Sequence, residues 1–176
     1  MANKGLIHLY YGYGKGKTTA AFGLALRASG CDKKVVIVQF LKNWKSGEIM
    51  QLDKLDNITV IRGLVSNKFS FDMTDEEKAA NRELHNDHLK EALSYVEKGE
   101  CDVLILDEVV DAYAMDLLDA ELYKDTLLNK KEELEIVMTG HSCPDWIKDC
   151  CNYVTEMVKI KHPYDEGIIA RKGIEF

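Results

Sequence analysis

One stretch near the start of the chain constrains it more than any other. Residues 6–11, Leu-Ile-His-Leu-Tyr-Tyr, lead into Gly12-Tyr13-Gly14-Lys15-Gly16-Lys17-Thr18-Thr19 and then into the apolar run Ala20-Ala21-Phe22-Gly23-Leu24-Ala25-Leu26. The order reads as a buried strand, a glycine-rich turn and the opening of a helix, which is the setting of a phosphate-binding loop. Glycines let backbone N–H groups curl round an anion, and the helix N-terminus adds its positive dipole end. Lys17 supplies a mobile point charge. Thr18 places a hydroxyl where a magnesium ion can use it. The strict spacing G-x-x-x-x-G-K-[ST] puts a glycine at position 11, where this chain has Tyr11, with Gly12 one residue later. The stretch is therefore an imperfect match to the motif but a triphosphate site in context.

The rest of the chain alternates strand and helix patterns. The first helix is expected from Lys17 to Ser29 with Gly30 as its stop, and Arg27 in its last turn complements the dipole or reaches a nucleotide. Residues 35–41 form a β-branched run suited to a parallel sheet covered on both faces. Residues 57–63 give another strand, and residues 42–48 a loop at a strand's carboxyl end, where α/β sheets bind ligands. Phe69 and Phe71 stand two apart in a polar loop. They either fold back onto the core or meet a large apolar ligand. Thr74-Asp75-Glu76-Glu77 is a capping-box signature opening a long helix to about Lys98. His85 and His88 on that helix read as part of a solvated face.

The second informative stretch is Cys101-Asp102-Val103-Leu104-Ile105-Leu106-Asp107-Glu108. A buried strand ending in two acids is what a nucleotide site needs opposite its phosphate loop, because a carboxylate there can hold Mg²⁺ directly or through water. Helical pieces follow at residues 109–118 and 120–129. A strand at 135–139 then ends in Thr139-Gly140-His141-Ser142, a short helix covers 144–151, and residues 153–160 alternate like a strand.

At 176 residues the chain is expected to be one α/β domain spanning residues 1–176, with a mostly parallel central sheet and helices on both faces. Its 46% apolar and 30% charged composition excludes a disordered chain, and its net charge of -7 argues against a general nucleic-acid binder. The five cysteines, Cys31, Cys101, Cys143, Cys150 and Cys151, make no C-x-x-C pair and lack zinc-ligand spacing. With no signal core after Met-Ala-Asn-Lys and no run near 18 apolar residues, they point to reduced thiols in the cytoplasm and to no membrane association.

Taken together, the loop, Arg27-Ala28-Ser29-Gly30, Val38-Gln39-Phe40-Leu41-Lys42, Gly47-Glu48, Leu106-Asp107-Glu108, Thr139-Gly140, Lys161-His162 and the closing Gly173-Ile174-Glu175-Phe176 closely resemble the phosphate-loop type of corrinoid adenosyltransferase. The ordered set runs from about Gly5 to Phe176 and is far more specific than the loop alone. The resemblance implies a RecA-like P-loop NTPase fold and an enzyme that moves the 5′-deoxyadenosyl group of ATP onto the Co(I) of a reduced corrinoid, releasing inorganic triphosphate. It implies a homodimer, an electron-donating reductase as partner, and cobalamin or cobyrinic acid a,c-diamide as acceptor. Carried over by position, Gly12, Tyr13, Gly14, Lys15, Gly16, Lys17, Thr18, Thr19, Arg27 and His141 are nucleotide ligands. Thr18, Asp107 and Glu108 are ligands for Mg²⁺ or Mn²⁺, and Lys17, Thr18 and Glu108 carry catalysis. Phe69 and Phe71 meet the corrin face. The family also seats the triphosphate in the loop in the direction opposite to most nucleotide hydrolases, leaving C5′ accessible.

Several positions depart from the family pattern. Phe71 stands where many members have Trp, His141 where they have Arg, and Tyr11-Gly12-Tyr13-Gly14 where they have T-G-N-G. An N-terminal extension found in some members is absent, which implies a more open corrinoid site. The residues also leave two rivals: a RecA-like ATPase or small phosphotransferase, and a non-catalytic ATP-binding switch.

Overall fold

The computed structural model describes residues 4–42, 46–66, 68 and 72–175. The expected corrin-facing residues Phe69 and Phe71 lie outside the described residues.

Six parallel strands form the sheet: β1 (Ile7–Tyr11), β2 (Val35–Gln39), β3 (Ile58–Arg62), β4 (Val103–Asp107), β5 (Glu135–Gly140) and β6 (Tyr153–Glu156). Their order is β3-β2-β4-β5-β1-β6. The continuous apolar runs of the central strands are explained by cover on both faces. Val103 and Ile105 of β4 enter one core with Ala21, Phe22 and Ala25 of α1 (Lys17–Ser29) and with Ile49 and Leu52 of α2 (Gly47–Leu52). Leu104 and Leu106, pointing the other way, join Leu89, Ala92 and Val96 of α3 (Asp75–Glu97). Val109 and Val110 of α4 (Val109–Ala114), Tyr123 of α5 (Ala120–Leu128) and Ile147 of α6 (Asp145–Cys150) complete that second core. Each fully buried aliphatic side chain contributes about 1.5–3 kcal/mol, so the two-sided strands hold the architecture. The observed α/β sheet with helices on both faces is the one expected from the alternation of patterns.

All strands point the same way, so their carboxyl ends share one edge, and the turns after β1, β2, β4 and β5 meet there. The strand carrying the phosphate loop, β1, is separated from the acid-bearing β4 by β5. This insertion brings Thr139 and Gly140 between the loop and the acids.

The capping box at α3 forms as read: the Thr74 hydroxyl accepts from the Glu77 N–H at 3.2 Å, and the Glu77 carboxylate accepts from the Thr74 N–H at 2.8 Å. Three expectations are corrected. Gly47 and Glu48 do not end a loop but open α2, whose Ile49 and Leu52 are drawn into the α1 core. The strand after residue 153 ends at Glu156, because Met157 turns to bond the phosphate loop. His85 and His88 are not on a solvated face. They are 0% and 8% exposed, in phase with Leu89, Ala92 and Val96, and His85 Nδ1 lies 2.9 Å from the Leu117 carbonyl oxygen. Among the described residues no three His, Cys, Asp or Glu side chains cluster as a metal site would need, and the five cysteines are free thiols.

Candidate active site

The phosphate loop is shaped by what lies behind it. Gly12 and Gly16 adopt φ of 110° and 113°, a region that side-chain-bearing residues rarely enter. A Cβ added to Gly12 or Gly14 would come within 2.5 or 2.6 Å of the Met157 carbonyl oxygen. Those two glycines are therefore needed because the chain leaving β6 presses against the loop. The Gly14 N–H donates to the Met157 carbonyl at 2.6 Å, and the Gly12 N–H donates to the His141 carbonyl at 2.8 Å. The Gly14 N–H is thus used to brace the loop. The amides at the start of α1 remain, with no intrahelical acceptor available to the first turn.

Lys17 lies across the loop and donates to the carbonyls of Gly12 at 2.7 Å and Gly14 at 3.1 Å. Burial lowers its pKa, with the nearby carboxylates of Asp111 and Glu108 acting in the opposite direction. Lys15 reaches the other way. Its ammonium donates to the Ile174 carbonyl at 3.1 Å and lies 3.2 Å from the Glu175 carboxylate. The C-terminal segment thus crosses the loop, a contact over 159 positions that local patterns do not show.

Opposite Lys17 stands the acid cluster. Asp107, fully buried at the end of β4, accepts from the Thr18 hydroxyl at 2.8 Å, the Thr139 hydroxyl at 2.8 Å and the Gln39 amide at 3.2 Å. Glu108 follows with φ 61°, and its N–H donates to the Thr139 hydroxyl at 2.7 Å. Lys42 closes the cluster: its ammonium lies 2.8 Å from Asp107, 3.1 Å from Glu108 and 3.0 Å from the Thr18 hydroxyl. Burial alone would lower the Lys42 pKa, but the two carboxylates raise it on balance. Burial raises the Glu108 pKa, reinforced by Asp107 and Asp111 and opposed by Lys42. Thr18, Asp107 and Glu108 thus direct three oxygens at one cationic centre, as a hard divalent ion would require.

A cavity of about 270 Å³ joins these groups, lined on one side by residues 14–19 and on the other by Lys42, Glu108 and His141. His141 is fixed at its rim by Asp111, which accepts from its N–H at 3.0 Å and pairs with its ring Nδ1 at 2.9 Å. Tyr13, 69% exposed, places its ring 5.6 Å from that of His141. Thr19 also lines the cavity.

The structure therefore brings Gly12, Tyr13, Gly14, Lys15, Gly16, Lys17, Thr18, Thr19, Asp107, Glu108 and His141 to one edge of the sheet. Arg27 is not among them. It lies ten positions along α1 from Lys17, a rise of about 15 Å. There it lines a separate cavity at the opposite edge with Lys33, Asp102 and Glu133. Lys42, Gln39, Asp111 and Thr139 are site residues given no role in the sequence reading, although Gln39, Lys42 and Thr139 lie in segments that carry the family resemblance. A lysine, a glutamine and a threonine at strand ends facing the loop were the available signal.

The family model for ATP:corrinoid adenosyltransferases of the BtuR/CobO/CobP type matches residues 3–176. The chain belongs to this family. It is 35% identical over 176 residues to the corrinoid adenosyltransferase of Escherichia coli K12, covering 98% of this chain and 86% of that protein. It is 33% identical to the corrinoid adenosyltransferase CobA of Salmonella typhimurium LT2, with the same coverage. The corresponding Pseudomonas aeruginosa protein is 28% identical over 98% of this chain and 84% of its own length. As a member of the family the chain is an ATP:corrinoid adenosyltransferase, and its cavity at the carboxyl edge of the sheet is where the loop expected for ATP lies.

Proposed function

We propose that this enzyme attaches the 5′-deoxyadenosyl group of ATP to the Co(I) centre of a reduced corrinoid and releases inorganic triphosphate. The observation that carries the reading is that Lys17, Thr18 and the α1 N-terminus line one cavity together with Glu108, while the Thr18 hydroxyl donates to the buried Asp107 behind it. That arrangement suits a polyanion and its counter-ion. Co(I) is itself a strong nucleophile, so its electron pair attacks C5′ and the C5′–O bond electrons leave with triphosphate. No protein base is required for that displacement.

The chain's contribution is to position and to stabilise. Lys17 exchanges its two loop carbonyls for phosphate oxygens, and the amides of Lys15, Gly16, Lys17 and Thr18 face the leaving group as its charge grows. Lys15 gives up the side-chain carboxylate of Glu175 for a phosphate. Asp111 holds His141 at the rim, where its imidazole is a further nucleotide contact. Thr18, Asp107 and Glu108 would hold Mg²⁺ or Mn²⁺, which would neutralise triphosphate charge when bound. The triphosphate lies in the loop in the reverse of the hydrolase direction, leaving C5′ exposed to the corrinoid, with Phe69 and Phe71 against the corrin face. Arg27 contacts nucleotide only if the assembly brings another surface to it.

The acceptor is cobalamin or cobyrinic acid a,c-diamide, in biosynthesis or salvage of the adenosylated coenzyme, and a reductase supplies the electron. The protein acts in the cytoplasm as a homodimer of single domains. No described helix is long and apolar enough to cross a membrane.

The deciding experiment supplies chemically reduced cobalamin and ATP anaerobically. The corrinoid spectrum and the phosphorus products are followed together. Adenosylcobalamin and triphosphate in equal amounts, lost in Lys17→Ala, are expected. ADP and phosphate formed without corrinoid would instead favour an ATPase.

A further inference from the structure

Lys42 is the cation at the centre of the acid cluster, and it belongs to no motif that the reaction explains. Its ammonium is within hydrogen-bond distance of three oxygens that come from two places in the sequence: Thr18 at the start of α1, and the adjacent Asp107 and Glu108 at the end of β4. The side chain is only 13% exposed. Two neighbouring carboxylates, one of them fully buried, would repel each other strongly without a positive charge between them. In the metal-free protein Lys42 supplies that charge.

The same three oxygens are those assigned above to the divalent ion. Mg²⁺ holds its oxygen ligands at about 2.0–2.1 Å, so an ion coordinated there and an ammonium at its present distances cannot occupy the cluster together. Lysine suits temporary occupation: it is a compact point charge on a flexible four-carbon stem, without the planar fork that makes arginine pairs rigid. Leu41, immediately before Lys42, has φ 57°, and such strain persists only where surrounding contacts enforce it, as the three partners of the Lys42 ammonium do.

We infer that Lys42 is a displaceable internal cation. It fills the divalent-ion position in the metal-free enzyme, and the incoming ion expels its ammonium toward the phosphates, where it becomes an additional positioning residue for the triphosphate. The inference rests on the reading of Thr18, Asp107 and Glu108 as metal ligands. It makes Lys42 a competitor of the metal before nucleotide binds and a partner of it afterwards. Metal and ATP then bind cooperatively, because each gives the displaced charge somewhere to go.

The test uses Mn²⁺ as probe, with the full chain and no nucleotide, and free Mn²⁺ measured by electron paramagnetic resonance. Lys42→Met is expected to bind one Mn²⁺ per chain at least tenfold more tightly than the wild type, and adding Asp107→Asn is expected to abolish that binding. Equal or weaker binding by Lys42→Met overturns the inference. A second measurement needs no variant. In the wild type, acetylation by acetic anhydride is read by mass spectrometry at Lys42 relative to the exposed Lys124. Lys42 should be protected without metal and become several-fold more reactive in saturating Mn²⁺. Unchanged protection overturns the inference even if the variant fails to fold. If neither protein binds Mn²⁺, the metal-ligand reading falls as well, whereas ATP binding through Lys17, measured separately in chelator, tests the nucleotide site alone.

Discussion

Asp111 grips His141 by main chain and side chain at once, accepting its N–H at 3.0 Å and pairing with its ring Nδ1 at 2.9 Å. Because the His141 carbonyl accepts the Gly12 N–H at 2.8 Å, this one carboxylate on α4 braces the turn after β5 and, through it, the start of the phosphate loop. Asp111→Ala should therefore cost about 1–3 kcal/mol in a urea titration, from His141 donors left unpaired, and weaken ATP binding about tenfold. His141→Ala keeps the main-chain bonds and should cost less than ~1 kcal/mol of stability while still raising the KM for ATP. Equal stability losses in the two variants would contradict the bracing role.

Two glycines of the same segment should respond in opposite directions. An alanine Cβ at Gly14 would meet Met157 and Val158 backbone atoms at 2.6–2.9 Å, so Gly14→Ala must move the loop. ATP affinity should fall at least tenfold, with a lower thermal midpoint. Gly23 lies inside α1 with nothing within 4 Å of its would-be Cβ. Gly23→Ala should be neutral or stabilising by about 0.5–1 kcal/mol. Calorimetry with and without ATP would separate the pair.

Acid should loosen the α3 side of the sheet. Burial pushes His85 down to about 4 from its ordinary 6.5 and lowers His88 as well. Burial holds both toward the neutral form in the folded chain, so below pH 6.5 the unfolded chain takes up protons more readily than the folded one. The stability present above pH 6.5 is then lost as pH falls toward 4, by up to ~3 kcal/mol for His85. His85→Asn keeps a donor for the Leu117 carbonyl and should flatten the pH slope between 6.5 and 4, at the cost of a small cavity. Retention of the full wild-type slope in denaturant titrations at several pH values would exclude His85 as its source.

The helix carrying these histidines starts at a cap that can be removed cleanly. Thr74→Ala takes away the acceptor of the Glu77 N–H and should lower stability by about 1 kcal/mol. Hydrogen exchange is expected to rise first in the opening turn of α3. An unchanged denaturation midpoint would show that tertiary packing, not the cap, holds that end.

The parts of this molecule that local physics governs could be read in order along the chain. The turn at Gly12-Tyr13-Gly14-Lys15-Gly16-Lys17, the span of α1, the Thr74 cap and the two-sided apolar run of β4 each depend on neighbouring residues. Where the reading failed, the controlling contact was distant. His85 and His88 were hidden among the charges of α3, although their spacing to Leu89, Ala92 and Val96 put them on the buried stripe. Residues 47 and 48 became helical because Ile49 and Leu52 found the α1 core.

By itself the sequence determined an alternating α/β chain with a phosphate loop, a strand ending in two acids, and an ordered set of segments specific enough to indicate one enzyme family. Only the tertiary structure decided that Lys42 stands among Thr18, Asp107 and Glu108, that Met157 braces the loop from behind, and that Arg27 is carried to the far edge. The physical reason is parallel packing. It gathers the carboxyl ends of strands far apart in sequence into one edge, while a helix leaving that edge carries its last residues away from it.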